Sequence, residues 1–196
     1  MNRPTLTTER LVLTPVDLAD LEDLQALWAD ADFTRHITGR PMTTEEVWFR
    51  LLRDLGQWGV RGYGSWTIRL VEGGAYVGNV SILDHRRLID PPIDDPELGW
   101  GLAPAFQGRG FAKEALEAAL AWADAHLRAA RTLCMISPDN LASVRLAERV
   151  GYRPYRRTTY RDEPVQLFER PRGATGRELS ANWAQADRTG PAVVRR

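Results

Sequence analysis

The sequence predicts an α+β fold, in which a mixed, mostly antiparallel sheet of about seven strands is flanked by about four helices. Three observations predict this fold. Short apolar or alternating runs, typical of strands, are interspersed with longer runs whose apolar residues recur at helical spacing. These segments follow the order β-α-α-β-β-β-α-β-α-β-β, which favours one mixed sheet. The 196 residues are enough for a single domain with a sizeable core.

The first part of the chain is predicted to contain one strand and two helices. Residues 6–16 form the strand, and Asp17 after it is the expected N-cap of the first helix. Thr43 and Glu46 have the spacing of a capping box, in which each side chain accepts from the other residue's backbone N–H. They predict the start of a second helix, which we expect to end near Gly56. The segment between the two helices is predicted to be a loop.

The middle of the chain is predicted to contain three strands and a long helix. The strands are residues 66–70, 76–83 and 97–102, and a Gly-Gly pair forms the turn between the first two. A helix is expected from Phe111 to about Leu127, because its apolar side chains share one stripe and its charged side chains lie on the other side.

The last predicted elements are a strand, a helix and two closing strands. Residues 133–136 are a continuous apolar run, which is typical of a buried strand. Asn140 is predicted to cap a helix, and Gly151 stands where a glycine commonly ends one. Residues 152–160 and 165–170 are predicted to be the closing strands.

A change of composition marks the predicted end of the domain. Residues 1–170 form the domain, and residues 171–196 are rich in Gly, Ala and Arg. We expect this segment to be a mobile tail with a short helix near residues 178–186.

Composition and charge give no indication of nucleic acid, a membrane or a metal as partner. The formal net charge is zero, so nothing indicates nucleic acid or an anionic membrane as partner. Cys134 is the only cysteine, which excludes an intramolecular disulfide and fits a reducing compartment. No segment has the apolar core of a signal peptide or the roughly 18 apolar residues of a membrane span. From these features together we expect a cytoplasmic protein. The three histidines show no ligand spacing, so we expect no metal site.

The motif Q-x-x-G-x-A at residues 107–112 lies between a predicted strand and the start of a predicted helix. A helix start exposes backbone N–H groups without intrahelical partners, and the helix dipole adds positive potential. Such a turn can hold a pyrophosphate with its backbone alone, and Gly108 and Gly110 let the chain approach a ligand closely. The Walker and dinucleotide-binding patterns are both absent.

This motif resembles the acetyl-CoA pyrophosphate loop of the GNAT superfamily of N-acetyltransferases. Residues 97–102 resemble the strand that runs beside pantetheine in that family, and residues 140–152 resemble a third family segment. Residues 8–11, TERL, are similar to the opening of the branch that acetylates ribosomal-protein N-termini, although Gln107 stands where that branch commonly has a Trp-Gly pair. The resemblance covers roughly residues 5–170 and implies that the central strands are splayed.

The resemblance implies acetyl-CoA as co-substrate and assigns residues to it. Backbone groups of Leu102 and Ala103 would pair with the pantetheine amides. The side chain of Asn140 would reach the cofactor arm near the thiol, and Ser143 would donate to the same arm. The pyrophosphate would be held by the loop and the helix start: Gln107, Gly108, Arg109, Gly110, Phe111, Ala112 and Lys113.

The chemistry requires a base, because an amine must lose a proton before it attacks the acetyl thioester. Glu97 is the candidate, since it begins the strand near which the amine should arrive and the family often has an acid there. The base is either this carboxylate or a water linked to it. The alternative is that Glu97 is a surface carboxylate at a strand end.

Several other residues keep a structural alternative. Ser143 is equally well explained as an ordinary helix residue, and Lys113 as the partner of Glu117 on the helix surface. Tyr152 and Cys134 are predicted to be core residues. Three aromatic side chains either wall the acceptor pocket or pack: Trp58, Tyr63 and Trp66.

The sequence therefore predicts an N-acetyltransferase that moves the acetyl group of acetyl-CoA directly to a primary amine. The acceptor is a protein N-terminus or a small-molecule amine, and a homodimer is possible. The alternative is an inactive module that binds acyl-CoA as a sensor, or an interaction protein that uses residues 171–196.

Overall fold

The computed structural model describes residues 3–90 and 92–175, whose strands form one eight-stranded sheet. The sheet order is β1-β2-β3-β4-β5-β6-β8-β7. The strands are β1 (Leu6–Thr7), β2 (Leu11–Pro15), β3 (Ser65–Leu70), β4 (Tyr76–Leu83), β5 (Glu97–Leu102), β6 (Arg131–Ile136), β7 (Arg153–Tyr160) and β8 (Glu163–Pro171).

Helices pack on both faces of this sheet. They are α1 (Leu21–Ala29), α2 (Ala31–Thr34), α3 (Thr44–Arg61), α4 (Phe111–His126) and α5 (Leu141–Arg149). Leu102 packs in a cluster with α4 and α5, whereas the next residue, Ala103, packs against a cluster that contains Trp28 of α1 and Leu51 of α3. Because successive side chains alternate across a strand, these two clusters lie on opposite faces. None of the helices in the described part of the chain is long and apolar enough to cross a membrane.

The predicted α+β class and single mixed sheet are confirmed, and two short elements raise the counts. A turn at Thr8, whose hydroxyl accepts from the Leu11 N–H at 3.0 Å, divides the predicted first strand into β1 and β2. Helix α2 lies in the segment predicted as a loop, because the Asp30 carboxylate caps it. Asp17 caps a 3-10 turn, and the first α-helix begins only at Leu21.

Helix α3 starts at the predicted capping box but continues to Arg61, beyond the predicted end at Gly56. A glycine inside a helix costs about 1 kcal/mol relative to alanine. The additional turn buries Trp58, whose indole N–H donates to the Ser65 carbonyl at 2.9 Å. Burying a tryptophan outweighs that cost. The helix ends at Gly62, which has a φ of 73°.

The aromatic residues at the end of α3 are core residues. The rings of Trp58 and Trp66 meet edge to face at 4.8 Å, and Trp122 of α4 lies 6.0 and 5.2 Å from them. Both Trp58 and Trp66 are fully buried, and Tyr63 packs against the same cluster. Of the two roles that the sequence left open for them, this burial supports packing.

The predicted splay of the central strands is present between β5 and β6. These are the one parallel pair among the described strands, and their register contains a single residue pair, Glu97 with Leu133. The Leu133 N–H donates to the Pro96 carbonyl at 2.9 Å at the same point. Beyond it, β5 pairs only with β4, and β6 pairs only with β8. The sheet therefore opens as a V whose vertex is Glu97.

An ion pair between a buried arginine and a partly exposed aspartate fastens the closing hairpin to α4. Arg170 of β8 is 4% exposed and donates to both carboxylate oxygens of Asp124, at 2.9 and 2.7 Å. Arg172 adds a hydrogen bond to the Asp124 carbonyl at 2.8 Å. The sheet ends at Pro171, close to the predicted domain boundary, and the predicted helix at 178–186 lies outside the described residues.

We expect Asp124→Ala to lower the free energy of unfolding by about 3 kcal/mol at neutral pH, because it leaves a buried arginine without its partner. Burial opposes ionisation of Asp124, but hydrogen bonds from Arg170 and Gly173 lower its pKa on balance. The contribution is therefore complete above the ordinary aspartate pKa and is lost as pH falls through the lowered value. Urea unfolding at neutral and acid pH measures it.

The control is Glu117→Ala on the same helix, where an exposed carboxylate pairs with Lys113 at 2.6 Å. Its effect should stay within about 0.5 kcal/mol. Equal effects of the two substitutions would contradict the role of the Arg170–Asp124 pair.

Candidate active site

The start of α4 presents a row of backbone N–H groups without partners. Gly108 and Gly110 have φ values of 73° and 83°, and no side chain caps the helix. The first bonded amide is that of Glu114, which donates to the Gly110 carbonyl at 3.2 Å. Within residues 3–90 and 92–175, no protein acceptor is found for the N–H groups of residues 108–113. These groups are free to bind an anion at the positive end of the helix dipole.

The N-terminal TERL segment braces this loop from behind. Glu114 in the first turn of α4 accepts from the Thr8 hydroxyl at 2.6 Å, and from the backbone N–H and Nε of Arg10 at 2.9 and 2.8 Å. Arg10 also donates to the Arg109 carbonyl at 3.2 Å and lies 4.5 Å from the centre of the Phe111 ring. Burial opposes ionisation of Glu114, but these hydrogen bonds lower its pKa on balance. The carboxylate therefore stays charged and holds the loop in place.

The sequence alone indicates TERL only as part of the family resemblance, and it indicates no role for Glu114. Their contact joins residues more than a hundred positions apart. No local pattern in the sequence indicates such a pairing. The available signal was that both segments, TERL and the loop before Glu114, resemble the same family.

The opening between β5 and β6 exposes backbone groups of β5. Ala103, the residue after β5, donates its backbone N–H to the Val77 carbonyl of β4 at 2.9 Å. The backbone N–H and C=O groups of the odd-numbered residues of β5 therefore point toward β4. Because alternate residues of an antiparallel strand point these groups to opposite sides, those of Trp100 and Leu102 point into the opening. The Ala103 carbonyl accepts from the Phe106 N–H at 2.9 Å. Leu102 therefore has a freer backbone for pantetheine than Ala103, and Trp100 is a position that sequence reasoning missed.

Gln107 and Lys113 make contacts within the protein. The Gln107 side chain donates to the Leu102 carbonyl at 2.9 Å and ties the loop to the end of β5. Lys113 pairs with Glu117 at 2.6 Å, the alternative that the helical spacing predicted. Arg109 is exposed, and its guanidinium lies 4.9 Å from the centre of the Phe111 ring.

Asn140 caps α5, as predicted. Its side-chain oxygen accepts from the Ser143 N–H at 3.1 Å. The amide nitrogen of its side chain has no acceptor in the described part of the chain, so it is available to a ligand carbonyl. The Ser143 hydroxyl, half-buried on the first turn of α5, likewise has no hydrogen bond to a described residue.

Glu97 lies at the vertex of the V and is 7% exposed. Arg87 binds both of its oxygens, Nε to Oε2 at 2.7 Å and Nη2 to Oε1 at 2.6 Å. The Arg87 guanidinium also lies 4.8 Å from the centre of the Tyr160 ring. The carboxylate is therefore buried and paired, which differs from the exposed strand-end alternative. Each oxygen keeps a lone pair beyond those that Arg87 uses.

Arg87 was not found from the sequence, because it lies in an irregular loop where spacing gives no direction for a side chain. Tyr152 and Cys134 are buried as predicted, and the Tyr152 hydroxyl bonds that of Thr132 at 2.7 Å. Burial raises the pKa of both Tyr152 and Cys134. Neither group is poised for proton transfer near neutral pH.

Comparisons with known proteins agree with this geometry. The family model described as an acetyltransferase (GNAT) domain matches residues 10–153, well over half of the chain. A GNAT-family acetyltransferase structure from Bordetella pertussis is 33% identical, with a TM-score of 0.78, over 86% of this chain and 99% of that one.

Two more distant structures share the fold. An acetyltransferase from Salmonella typhimurium, which modifies the N-terminal serine of ribosomal protein L7/L12, is 18% identical with a TM-score of 0.69, over 86% of this chain and 99% of that one. Spermidine N-acetyltransferase from Vibrio cholerae, in complex with CoA and spermine, is 16% identical with a TM-score of 0.68, over 85% of this chain and 98% of that one.

The unpaired amides at the start of α4 and the opening beside β5 fit the pyrophosphate and the pantetheine arm of coenzyme A. The family match covers both features together with the vertex at Glu97. The chain therefore belongs to the GNAT acetyltransferase family and is an acetyl-CoA-dependent N-acetyltransferase.

Proposed function

We propose that this chain transfers the acetyl group of acetyl-CoA directly to a primary amine, either a protein N-terminus or a small-molecule amine. The observation that carries the proposal is the V between β5 and β6, which meets a row of unpaired amides at the start of α4. The N–H groups of residues 108–113 have no acceptor within the described protein, and neither do those of Trp100 and Leu102. Buried or semi-buried backbone groups of this kind require a ligand or water to satisfy them.

Residues on three elements hold the co-substrate in this proposal. The backbone N–H groups of residues 108–113 bind the pyrophosphate, with the side chains of Arg109 and Lys113 beside it. Leu102 pairs with the pantetheine arm, and Ala103 contributes at most the remaining lone pair of its carbonyl. Gln107 braces the loop, and the Asn140 amide and Ser143 hydroxyl approach the arm from α5. When bound, acetyl-CoA supplies an acetyl thioester.

Glu97 acts as the base in this proposal, directly or through one water. The amine arrives protonated, and the carboxylate accepts a proton through a lone pair that Arg87 leaves free. The amine nitrogen then forms a bond to the acetyl carbon while the carbon–sulfur bond breaks, and the second proton that the nitrogen loses protonates the departing thiolate. The Trp100 N–H at the opening is placed to polarise the thioester carbonyl.

A neutral histidine, His85, is another candidate base near the vertex. Burial first, and then the positive charges of Arg87, Arg53 and Arg50, lower its pKa to about 3. Such a weakly basic imidazole accepts a proton less well than a carboxylate does. Glu97 therefore remains the better candidate.

The fold does not select the acceptor. The two distant enzymes modify different amines, a ribosomal-protein N-terminus and spermidine, and the TM-scores of their structures against this chain are 0.69 and 0.68. Function is determined by side chains at the site and not by the shared fold.

Release of the free thiol from acetyl-CoA, measured against a panel of amines and N-terminal peptides, tests the proposed activity. We expect amine-dependent release with at least one class of acceptor. Binding of coenzyme A by calorimetry together with no release for any amine would contradict the proposal and favour a sensor.

Glu97→Gln should lower kcat by about 100-fold or more, because a positioned base contributes about 10²–10⁴-fold. The fall of kcat/KM toward acid pH, which an essential base produces, should disappear as well. Steady-state kinetics across pH measure both quantities.

Because the substitution also weakens the contact with Arg87, coenzyme A affinity and the melting temperature serve as controls. Coenzyme A affinity should match the wild-type value while kcat falls, whereas the melting temperature should fall because the buried Arg87 loses its ionised partner, so kcat is compared well below both melting temperatures. An unchanged pH–rate profile in Glu97→Gln would show that Glu97 is a structural partner of Arg87 only.

Glu114→Ala should weaken coenzyme A binding by about tenfold, equivalent to about 1.4 kcal/mol, because the loop loses its contacts with Thr8 and Arg10. Isothermal calorimetry measures the dissociation constant. Glu45→Ala, which removes an exposed carboxylate from the first turn of α3, is the control and should bind normally. Equal affinities in the two variants would contradict the bracing role.

A further inference from the structure

Helix α3 and the loop that follows β4 meet along a charged seam near the vertex. The α3–loop seam consists of Arg50, Arg53, Asp54, Gln57, His85 and Arg87. The α3 members recur three or four positions apart, so they lie on one face of the helix. One turn beyond them, Arg61 pairs with Asp84 and fastens the helix to the start of the loop.

Two of the three arginines in the seam have a carboxylate partner. Arg53 donates to Asp54 Oδ1 from Nε at 2.8 Å and from Nη2 at 2.5 Å. Arg87 is bound to both oxygens of Glu97. Asp54 and Glu97 are therefore ion-pair partners of Arg53 and Arg87, and neither makes an ion-pair contact with Arg50.

Arg50 is different. No carboxylate in the described chain lies in ion-pair contact with it, and its buried Nε has no hydrogen-bond partner there. Its guanidinium lies 3.7 Å from the centre of the Trp28 ring. Gln57, two turns along the same face, also has a buried amide nitrogen without an acceptor among the described residues. The seam thus presents two unsatisfied donors and one uncompensated positive charge.

The charge on Arg50 persists at neutral pH. Burial first, and then the positive charge of Arg53, lower the pKa of Arg50 to about 10. Asp54 partly opposes this shift, and Arg87 adds to it. Burial first, and then the charges of Arg87, Arg53 and Arg50, lower the pKa of His85 and keep it neutral, so that residue adds hydrogen-bonding capacity and no charge. A buried cation with an unpaired N–H is costly unless an anion binds to it.

We infer that the α3–loop seam binds a carboxylate carried by the acceptor, so that the substrate is a small amine of the amino-acid type. This inference rests on the proposed function. Arg50 and Arg87 are close enough for their charges to interact, and Arg87 binds Glu97 at the vertex, so a carboxylate held at Arg50 lies near the proposed base. An arginine and an amide side chain together match the oxygens of a carboxylate. A polyamine would instead bring positive charge to three arginines.

The test compares acceptors that differ only in the carboxylate. Thiol release is measured with the standard α-amino acids, their carboxamides and spermidine. Wild-type enzyme should show kcat/KM values at least about tenfold higher for amino acids than for the matching carboxamides. Arg50→Met should erase that preference by raising KM for the amino acids, with little change for the carboxamides.

Arg128→Met removes an exposed arginine from the segment after α4 and is the control, which should behave as wild type. Binding gives a second readout: N-acetyl amino acids should raise the melting temperature of the wild-type protein and of Arg128→Met, but not that of Arg50→Met. This measurement also reveals a variant that fails to fold.

Carboxamides or spermidine accepted as well as amino acids would overturn the inference and leave the proposed activity intact. Peptides with Asp or Asn as the second residue are tested as a further class of acceptor. If only peptides are acetylated, the inference as to a small acceptor is overturned. If no amine or peptide gives thiol release, the proposed function and the inference are refuted together.

Discussion

The fold depends on one constraint: β5 and β6 touch at a single residue pair and then separate. Sheets ordinarily satisfy their backbone groups by continuing a ladder, and this one stops at Glu97 and Leu133. The flanking strands compensate, because β5 stays paired with β4 over its whole length and β6 with β8. The opening is therefore held from both sides, and the unpaired groups within it belong to the site.

The remaining parts of the site follow from the vertex along β5, the loop after it and the start of α4. The strand leads from Glu97 to the loop, where Gln107 ties the turn back to Leu102. The N-terminal segment then fixes the first turn of α4 through Glu114, which leaves the amides before it without partners. In the proposed mechanism one end of β5 carries the base, and the other end leads to the amides that bind the pyrophosphate. The length of the strand separates the two.

Local chemistry predicted much of this architecture from the sequence. The Thr43–Glu46 capping box, the Asn140 cap and the bounds of β4 and β5 follow from short-range patterns, and the structure confirms them. The end of α3 did not follow, because burial of Trp58 decides it against the preference of the glycines. The partner of Glu97 could not be predicted either, since Arg87 reaches it from an irregular loop. Tertiary contacts of this kind leave no period in the sequence.

The central claim is that the backbone amides beside the V and at the start of α4 are ligand-binding groups. Amide hydrogen exchange with and without saturating coenzyme A tests this claim residue by residue. We predict slower exchange by about tenfold or more at Leu102 and at residues 108–113, because their free N–H groups acquire acceptors. Unchanged exchange at these amides, while calorimetry shows coenzyme A bound, would contradict the account.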